Sequence, residues 1–158
     1  MSLKKPLTIY SGAIAQLQAG DILDAPASDA QIIAMTNGES SAAITIGMPV
    51  YILSADNVKR AEANAGGTVP AIGLAYNASV ATGTSGEFAT SGLLASADWT
   101  AVTGSTTLTA GSIYYLSATT AGQLTTTAPS TVGQYVQVIG IAIDTTTMLI
   151  NIKSPILL

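Results

Sequence analysis

The sequence predicts a mainly β protein, and three observations carry that expectation. Short runs of β-branched and aromatic residues, bounded by Gly and Ser, occur at Met48-Pro49-Val50-Tyr51-Ile52-Leu53 and Ile113-Tyr114-Tyr115-Leu116. Two stretches of the chain resemble one another. Ile44-Thr45-Ile46-Gly47 followed by Val50-Tyr51-Ile52 parallels Leu108-Thr109-Ala110-Gly111 followed by Tyr114-Tyr115-Leu116 at an offset of 64, and Ala71-Ile72-Gly73-Leu74-Ala75 parallels Val138-Ile139-Gly140-Ile141-Ala142 at 67. A drift of that kind is what a loop-length difference between two related units produces. Third, the Thr-rich stretch from Leu124 to Thr127 suits an exposed pleated face, where branched hydroxyl residues pack without charge.

The expected architecture is two related small antiparallel β units, sandwich or barrel-like, preceded by an extended N-terminal arm. The arm covers residues 1–40, with turn signals at Gly20-Asp21 and Asn37-Gly38; the first β unit covers 41–103 and the second 104–158. In the first unit, Ala55 to Ala65 holds Ala, Lys, Arg and Glu, all good helix formers. Only Val58 offers bulk for a packed helical face, and Gly66-Gly67 ends the stretch, so it reads as a hairpin arm with a short helix as the alternative. In the second unit, Ala121-Gly122-Gln123 is a turn, and Tyr135 to Ile143 is a strand with apolar residues on both faces, buried or between subunits. Met148, Ile150 and Ile152 alternate with Asn151 and Lys153, with Leu149 off the pattern. Asp144-Thr145-Thr146 is a tight turn that makes the last two strands a hairpin.

Composition narrows the function classes. Charged residues make up 9% of the 158, against roughly 25% in ordinary soluble domains. The surface must then be Thr, Ser, Ala, Gly, Gln and Asn, or be covered by other copies, as in an obligate oligomer. Disorder calls for low hydrophobicity and high net charge, and this chain is 48% hydrophobic with a net charge of −4. Its basic residues, Lys4, Lys5, Lys59, Arg60 and Lys153, are too few and scattered to follow a phosphate backbone, so no nucleic-acid partner is expected. No apolar run is long enough for a membrane span, and no apolar h-region follows Met1 to Pro6.

The residues that carry most enzyme chemistry are missing. Without His or Cys, neither Ser-His-Asp nor Cys-His arrangements can be assembled, zinc loses its usual ligands, and no disulfide forms. The carboxylates are Asp21, Asp24, Asp29, Glu39, Asp56, Glu62, Glu87, Asp98 and Asp144; nearly all stand beside turn residues and read as local caps rather than a glycosidase pair. Asp21, Asp24 and Asp29 are close in sequence but lack the calcium-loop pattern. Asn77-Ala78-Ser79 fits a glycosylation sequon of a kind common by chance. Gly83-Thr84-Ser85-Gly86 reads as a flexible loop without the lysine that a phosphate loop needs. Trp99 reads as a core or subunit-contact anchor, with a sugar-stacking platform as the alternative. No catalytic, metal or cofactor site is expected.

Several motifs together resemble a known class. They are the leader from Ser11-Gly12-Ala13-Ile14 to Gln16-Leu17-Gln18-Ala19-Gly20-Asp21, then Gly47-Met48-Pro49-Val50-Tyr51 and Pro70-Ala71-Ile72-Gly73-Leu74-Ala75, then Ala97-Asp98-Trp99-Thr100-Ala101-Val102-Thr103-Gly104. The strongest are Leu108-Thr109-Ala110-Gly111-Ser112-Ile113-Tyr114-Tyr115-Leu116 and Gly122-Gln123-Leu124-Thr125-Thr126-Thr127-Ala128-Pro129, closed by Pro155-Ile156-Leu157-Leu158. Over nearly the whole chain this resembles bacteriophage head-fibre, capsid-decoration and tail-fibre structural proteins. The resemblance implies a homotrimer with a β-rich exposed body and an N-terminal segment that attaches to the virion, to the phage major capsid protein or another virion protein. It implies no catalytic residue. A capsid decoration or head fibre on the particle surface is the leading expectation. A receptor-binding tail-fibre or baseplate module, with Trp99 and Tyr114 in an exposed groove, is the alternative. A glycan-hydrolysing tailspike fits poorly, because clustered carboxylates and β-helix repeats are missing.

Overall fold

The computed structural model describes the backbone of Leu7–Tyr10 and Ala13–Gln16 and all of residues 30–158. The first two segments are strands β1 and β2, paired antiparallel as a separate hairpin. The Gly20-Asp21 turn and Asp21, Asp24 and Asp29 lie outside the described residues. The rest is mainly β, as the sequence predicts, and its strands divide between two units that share one long strand.

The first unit contains β3 (Gln31–Asn37), β4 (Ile44–Thr45), β5 (Pro49–Ser54), β6 (Asn57–Arg60), β7 (Gly73–Ala75), β8 (Ser79–Val80) and β9 (Ser85–Ala95). β9 uses both of its edges at the same residues. Phe88 and Ala89 face Ile33 and Ile32 of β3 on one side and Ala75 and Leu74 of β7 on the other. β7 pairs with β5, β5 with β6, and β6 runs parallel to β3, so five strands close into a small barrel. Closure removes the exposed edges that a charge-poor sheet could not otherwise protect. Inside the barrel, Ile44, Val50, Val58, Ala75, Val80 and Phe88 form a buried cluster of their own. Gln31–Asn37, expected in the leader, is thus a barrel strand.

The stretch Ala55 to Ala65 takes the hairpin form rather than the helical one. The chain turns at Ala55-Asp56, where Asp56 adopts a positive φ of 58°, and returns as β6. A strand places Val58 inside the barrel and leaves Lys59 to alternate outward, which settles the one bulky residue that a helix here could not have buried.

The second unit follows a single helical turn, α1 (Thr100–Thr103), which the sequence reading did not foresee, and contains β10 (Ile113–Leu116), β11 (Leu124–Thr125), β12 (Tyr135–Val136), β13 (Val138–Ala142), β14 (Thr147–Ile150) and β15 (Ile156–Leu157). Its sheet begins on the far end of β9: Gly92 to Ala95 pair with Ile150 to Thr147, and β13, β10 and β11 follow in order. β13 and β14 form the hairpin expected around Asp144. Tyr135 to Ile143, expected as one strand, is interrupted at Gln137. Ile139 and Ala142 turn inward, while Ile141 and Ile143 remain exposed. The Thr-rich strand is shorter than expected, with Leu124 buried and only Leu124–Thr125 paired.

The two units share a set of backbone partners. Val50 stands opposite Gly73, and Tyr114 opposite Gly140; Tyr51 faces Lys59, and Tyr115 faces Thr125. Gly47 N–H donates to the Ala75 carbonyl at 2.8 Å, and Gly111 N–H to the Ala142 carbonyl at 2.8 Å. Ala75 N–H donates to the Met48 carbonyl at 2.9 Å, and Ala142 N–H to that of Ser112 at 3.0 Å. Both turns need the left-handed conformation that glycine tolerates best, with φ of 82° at Gly47 and 76° at Gly111. The offsets of 64 and 67 seen in the sequence therefore relate residues with the same backbone partners.

A larger core joins the units. It combines Ala61, Ala71, Leu74 and Ala89 of the first with Leu94, Trp99, Leu116, Ile139, Met148 and Ile150. Backbone bonds stitch the seam: Ala63 N–H to the Ser117 carbonyl, Gly122 N–H to that of Ala61, and Tyr135 N–H to that of Ala63, each 2.8 Å.

The repeat makes a prediction about close approach. A Cβ on Gly140 would lie 2.4 Å from the Leu149 carbonyl oxygen, whereas one on Gly73 would lie 3.0 Å from the equivalent oxygen of Ala89. Gly140→Ala is expected to cost about 1–3 kcal/mol through forced strand displacement, and Gly73→Ala less. Urea unfolding of both variants checks the order; equal stability, or a stable Gly140→Ala, would contradict this register.

Candidate functional site

The described carboxylates serve local structure one by one. Glu39 makes a 3.1 Å ion pair with the Arg60 Nε and accepts from the Arg60 backbone N–H at 3.0 Å, tying the loop after β3 to β6. Glu62 accepts from Asn64, and Asp56 occupies the β5–β6 turn. Glu87 is clamped by Asn77. The Glu87 N–H donates to Asn77 Oδ1 at 2.6 Å, while Asn77 Nδ2 donates back to the carboxylate at 3.3 Å. Asn77, read from sequence as a sequon of no weight, is thus a side-chain tie between β9 and the loop before β8.

Asp98 and Asp144 are turn caps with matching chemistry. Asp98 accepts from the Thr100 N–H at 2.8 Å where α1 begins. Asp144 accepts from the N–H groups of Thr146 and Thr147, both at 2.7 Å, in the β13–β14 turn. Hydrogen bonds from Thr100 and from Thr146 hold the two carboxyls below the ordinary carboxylate value, because the donors favour the ionised form. Among the described residues no three of His, Cys, Asp or Glu are placed to hold a metal ion.

Trp99 and Tyr114 sit within the chain's own core. Trp99 has no exposed surface, and its indole N–H donates to the Thr146 carbonyl at 2.9 Å, so the ring joins α1 to the Asp144 turn. The ring packs over Gly47, where a Cβ would approach it to 2.7 Å. Tyr114 is 3% exposed, and its hydroxyl accepts from the Thr109 N–H at 2.9 Å. Trp99 stands in no exposed groove of the chain, as a stacking platform would require, and Tyr114 borders one but shows only 3% of its surface. Gly83-Thr84-Ser85-Gly86, expected as a flexible loop, is a hydrogen-bonded turn that runs into β9. The Thr84 carbonyl accepts from Asn37 N–H at 2.9 Å, and its hydroxyl donates to Ala81 at 2.7 Å.

Two buried amides organise the molecule in ways the sequence pattern does not show, Asn37 having registered there only as a turn residue and Gln137 only as part of a strand. Asn37 donates to the carbonyls of Ala42 and Val80 at 2.9 and 2.8 Å and accepts from Glu39 N–H. Gln137, at the break between β12 and β13, accepts from Ala71 N–H at 2.9 Å and donates to the carbonyls of Ala71 and Lys153. It treats the Ala71 backbone as a strand neighbour would, and so locks the seam between the units.

Among the described residues, three open grooves are formed. One of about 240 Å³ is lined by hydroxyls of Thr103, Ser105, Thr107, Thr109, Thr125 and Thr126, beside Tyr114 and Leu124. Another of about 240 Å³ lies between Ser117-Ala118-Thr119 and Thr127 to Gln134. The third, about 480 Å³ and more apolar, lies between Thr45-Ile46, Ala78 and the segment Ala95 to Asp98 with Ala101. None gathers charged groups beyond the capping Asp98. Exposed aliphatics remain on the outer side of the second unit's sheet, at Ile52-Leu53 of β5, at Val132 and at Ile156 to Leu158. No protein-family model, curated protein or solved structure matches the chain.

Two predictions test this assignment of polar groups. Gln137→Leu leaves the Ala71 N–H and two carbonyls without partners, and each buried orphan costs about 1–3 kcal/mol; thermal unfolding should show a marked fall, and an unchanged midpoint would refute the seam role. Asp144 has a folded-state pKa below its ordinary 3.8, so its stabilising contribution is present above that value and is lost as pH falls below it. In a pH series of melting curves, Asp144→Asn should flatten part of the acid-side decline and leave the neutral region's slope unchanged.

Proposed function

We propose that this chain is a structural protein of a bacteriophage particle, a capsid decoration or head-fibre protein that attaches to the assembled shell and stabilises it, with no catalytic role. In this reading it is made in the host cytoplasm and ends on the virion surface. It associates with itself as a homotrimer and with the major capsid protein or another virion protein.

The observation that carries the reading is where the chain spends its polar chemistry. Every described carboxylate except Asp56, which sits in a tight turn, binds a neighbouring backbone or side-chain donor. The exposed surface that remains is hydroxyl-rich and aliphatic, in a chain that is 9% charged. Such a surface suits broad, uncharged contact with repeated copies better than capture of a small charged substrate. The resemblance of Gly111-Ser112-Ile113-Tyr114-Tyr115-Leu116 and Gly122-Gln123-Leu124-Thr125-Thr126-Thr127-Ala128-Pro129 to phage structural β modules supports the same class. Attachment falls to the leader before the barrel strand β3, of which the described hairpin β1–β2 is a part.

The second reading is a receptor-binding tail-fibre or baseplate module. The hydroxyl-lined groove around Thr103, Thr107 and Thr109 favours it, as a surface that could hydrogen-bond a glycan. Burial of Trp99 and Tyr114 counts against it, because Tyr114, the aromatic beside those hydroxyls, is only 3% exposed and offers no stacking face.

Immunogold labelling of purified particles with an antibody to the full chain tests the two. Gold distributed over heads is the expected result. Gold confined to tails would replace the first reading by the second, and particles that lack the chain altogether would overturn both.

A further inference from the structure

The repeat exposes a difference between its two halves. On the outward face of the first unit, Pro49, Leu74 and Ala89 stand side by side on β5, β7 and β9, paired Pro49 with Leu74 and Leu74 with Ala89. All three are buried; Leu74 and Ala89 belong to the core that the second unit builds with the first. The positions with the same backbone partners in the second unit are Ile113, Ile141 and Leu149, paired Ile113 with Ile141 and Ile141 with Leu149. Leu93 of β9 continues the row opposite Leu149.

This second row is uncovered. Leu93, Leu149, Ile141 and Ile113 are 36%, 38%, 37% and 42% exposed. They form an unbroken aliphatic line across four strands, and Ile143, 53% exposed, extends it at the β13–β14 turn. Strands stand about 4.8 Å apart, so the line runs roughly 14 Å. The segments that carry it, Ile113–Leu116, Val138–Ala142, Thr147–Ile150 and Gly92 to Ala95, contain no charged residue. Proteins that keep a sheet face in water put polar residues at alternate positions; here those positions hold Ile and Leu.

We propose that this row is the face through which the chain associates with further copies of itself. Two features of the molecule select that occupant. The equivalent face of the first unit is already covered by β structure of the same chain, so this sheet surface is of a kind that packs against its own repeat. The row also has no charge to be matched, so identical copies complement it around a symmetry axis without any partner-specific ion pairs. The inference names the contact that the proposed homotrimer requires, and to that extent rests on that reading.

Sedimentation equilibrium of the full chain across micromolar concentrations tests it. The wild type is expected as a multimer. Ile141→Lys with Leu149→Lys should shift it to the monomer mass. Val132→Lys, which places a lysine on a residue 88% exposed elsewhere, should leave the multimer intact. If circular dichroism shows the double lysine variant unfolded, Ile141→Thr with Leu149→Thr keeps the strand propensity and should still weaken association, with the monomer fraction rising at every concentration. A wild type that is monomeric throughout, or a folded double variant with wild-type mass, overturns the proposal. The two ideas fail separately. Gold on phage heads with an unaltered double-variant mass would sink the face and spare the virion reading; a clean shift to monomer with no gold on particles would do the reverse.

Discussion

The architecture depends on β9 holding two partnerships along eleven residues. Its first half must offer both edges at once, to β3 and β7, because the barrel closes only there. Its second half must leave the barrel and accept β14. Side chains along the strand answer both demands. Phe88 fills the barrel, Ala89 is small enough to lie beneath the second unit, and Leu94 belongs to the shared core. A register slip of one residue in β9 would send Phe88 outward and Leu94 to solvent, so the two cores fix one another's alignment. The orientation of the two units follows from covalent continuity of a single strand, reinforced by Gln137 and the backbone bonds of the seam.

The repeat shows how one backbone plan supports two surroundings. Gly47 and Gly111 make the same turn with the same hydrogen bond, yet only Gly47 has an indole packed against it. Phe88 and Met148 occupy equivalent places on β9 and β14, each fully buried, one inside the barrel and one in the joint core. The barrel is closed by β3, whereas the second sheet ends at β11. Where β3 lies beside β9, the chain lays the end of β9 beside β14, and beyond it Trp99 and α1 take over from β-pairing. Trp99 is fully buried there, packed against Gly47 and with its N–H bound to Thr146. Backbone hydrogen bonding is thus repeated while side-chain volume differs, which is how related units with dissimilar sequences keep a common frame.

Much of this was legible in the residues, for physical reasons that can be named. Apolar pairs with period two, bounded by glycines at turns, marked β5, β10, β13 and β14 and revealed the repeat. Asp144 announced its hairpin because a carboxylate followed by two threonines has local N–H groups to accept from. Non-local pairing was not legible. Nothing in Gln31–Asn37 says that its end runs parallel to β6 while its middle pairs with β9, since both choices satisfy the same alternation. Nor does Gln137 look different from a surface glutamine until Ala71, 66 positions away, is placed beside it. The helical turn at Thr100–Thr103 is too short for any periodicity to show; Asp98 accepts from the Thr100 N–H in the turn that leads into it, and Val102 is buried beneath it. Of the candidate surface, Leu149 did register as a break in alternation. Its meaning emerged only when the sheet set it between Leu93 and Ile141.

That break shows how a locally unfavourable residue can be informative. A leucine in place of a polar residue at an outward strand position loses hydration and gains nothing within the isolated chain. Were Leu149 alone, it would be one of the scattered exposed aliphatics that every protein carries. Three further aliphatics at its cross-strand positions change the physical case, because neighbouring side chains across a sheet bury one another's flanks and leave a smooth common surface. The first unit demonstrates the consequence: Leu74 and Ala89, at equivalent sites, are fully buried and belong to the core that joins the units. Low charge throughout the chain then ceases to be a solubility liability in isolation. It becomes the condition under which sheet packs on sheet within the chain and, in the proposed assembly, between copies, with the cost of desolvating ions kept small at both contacts.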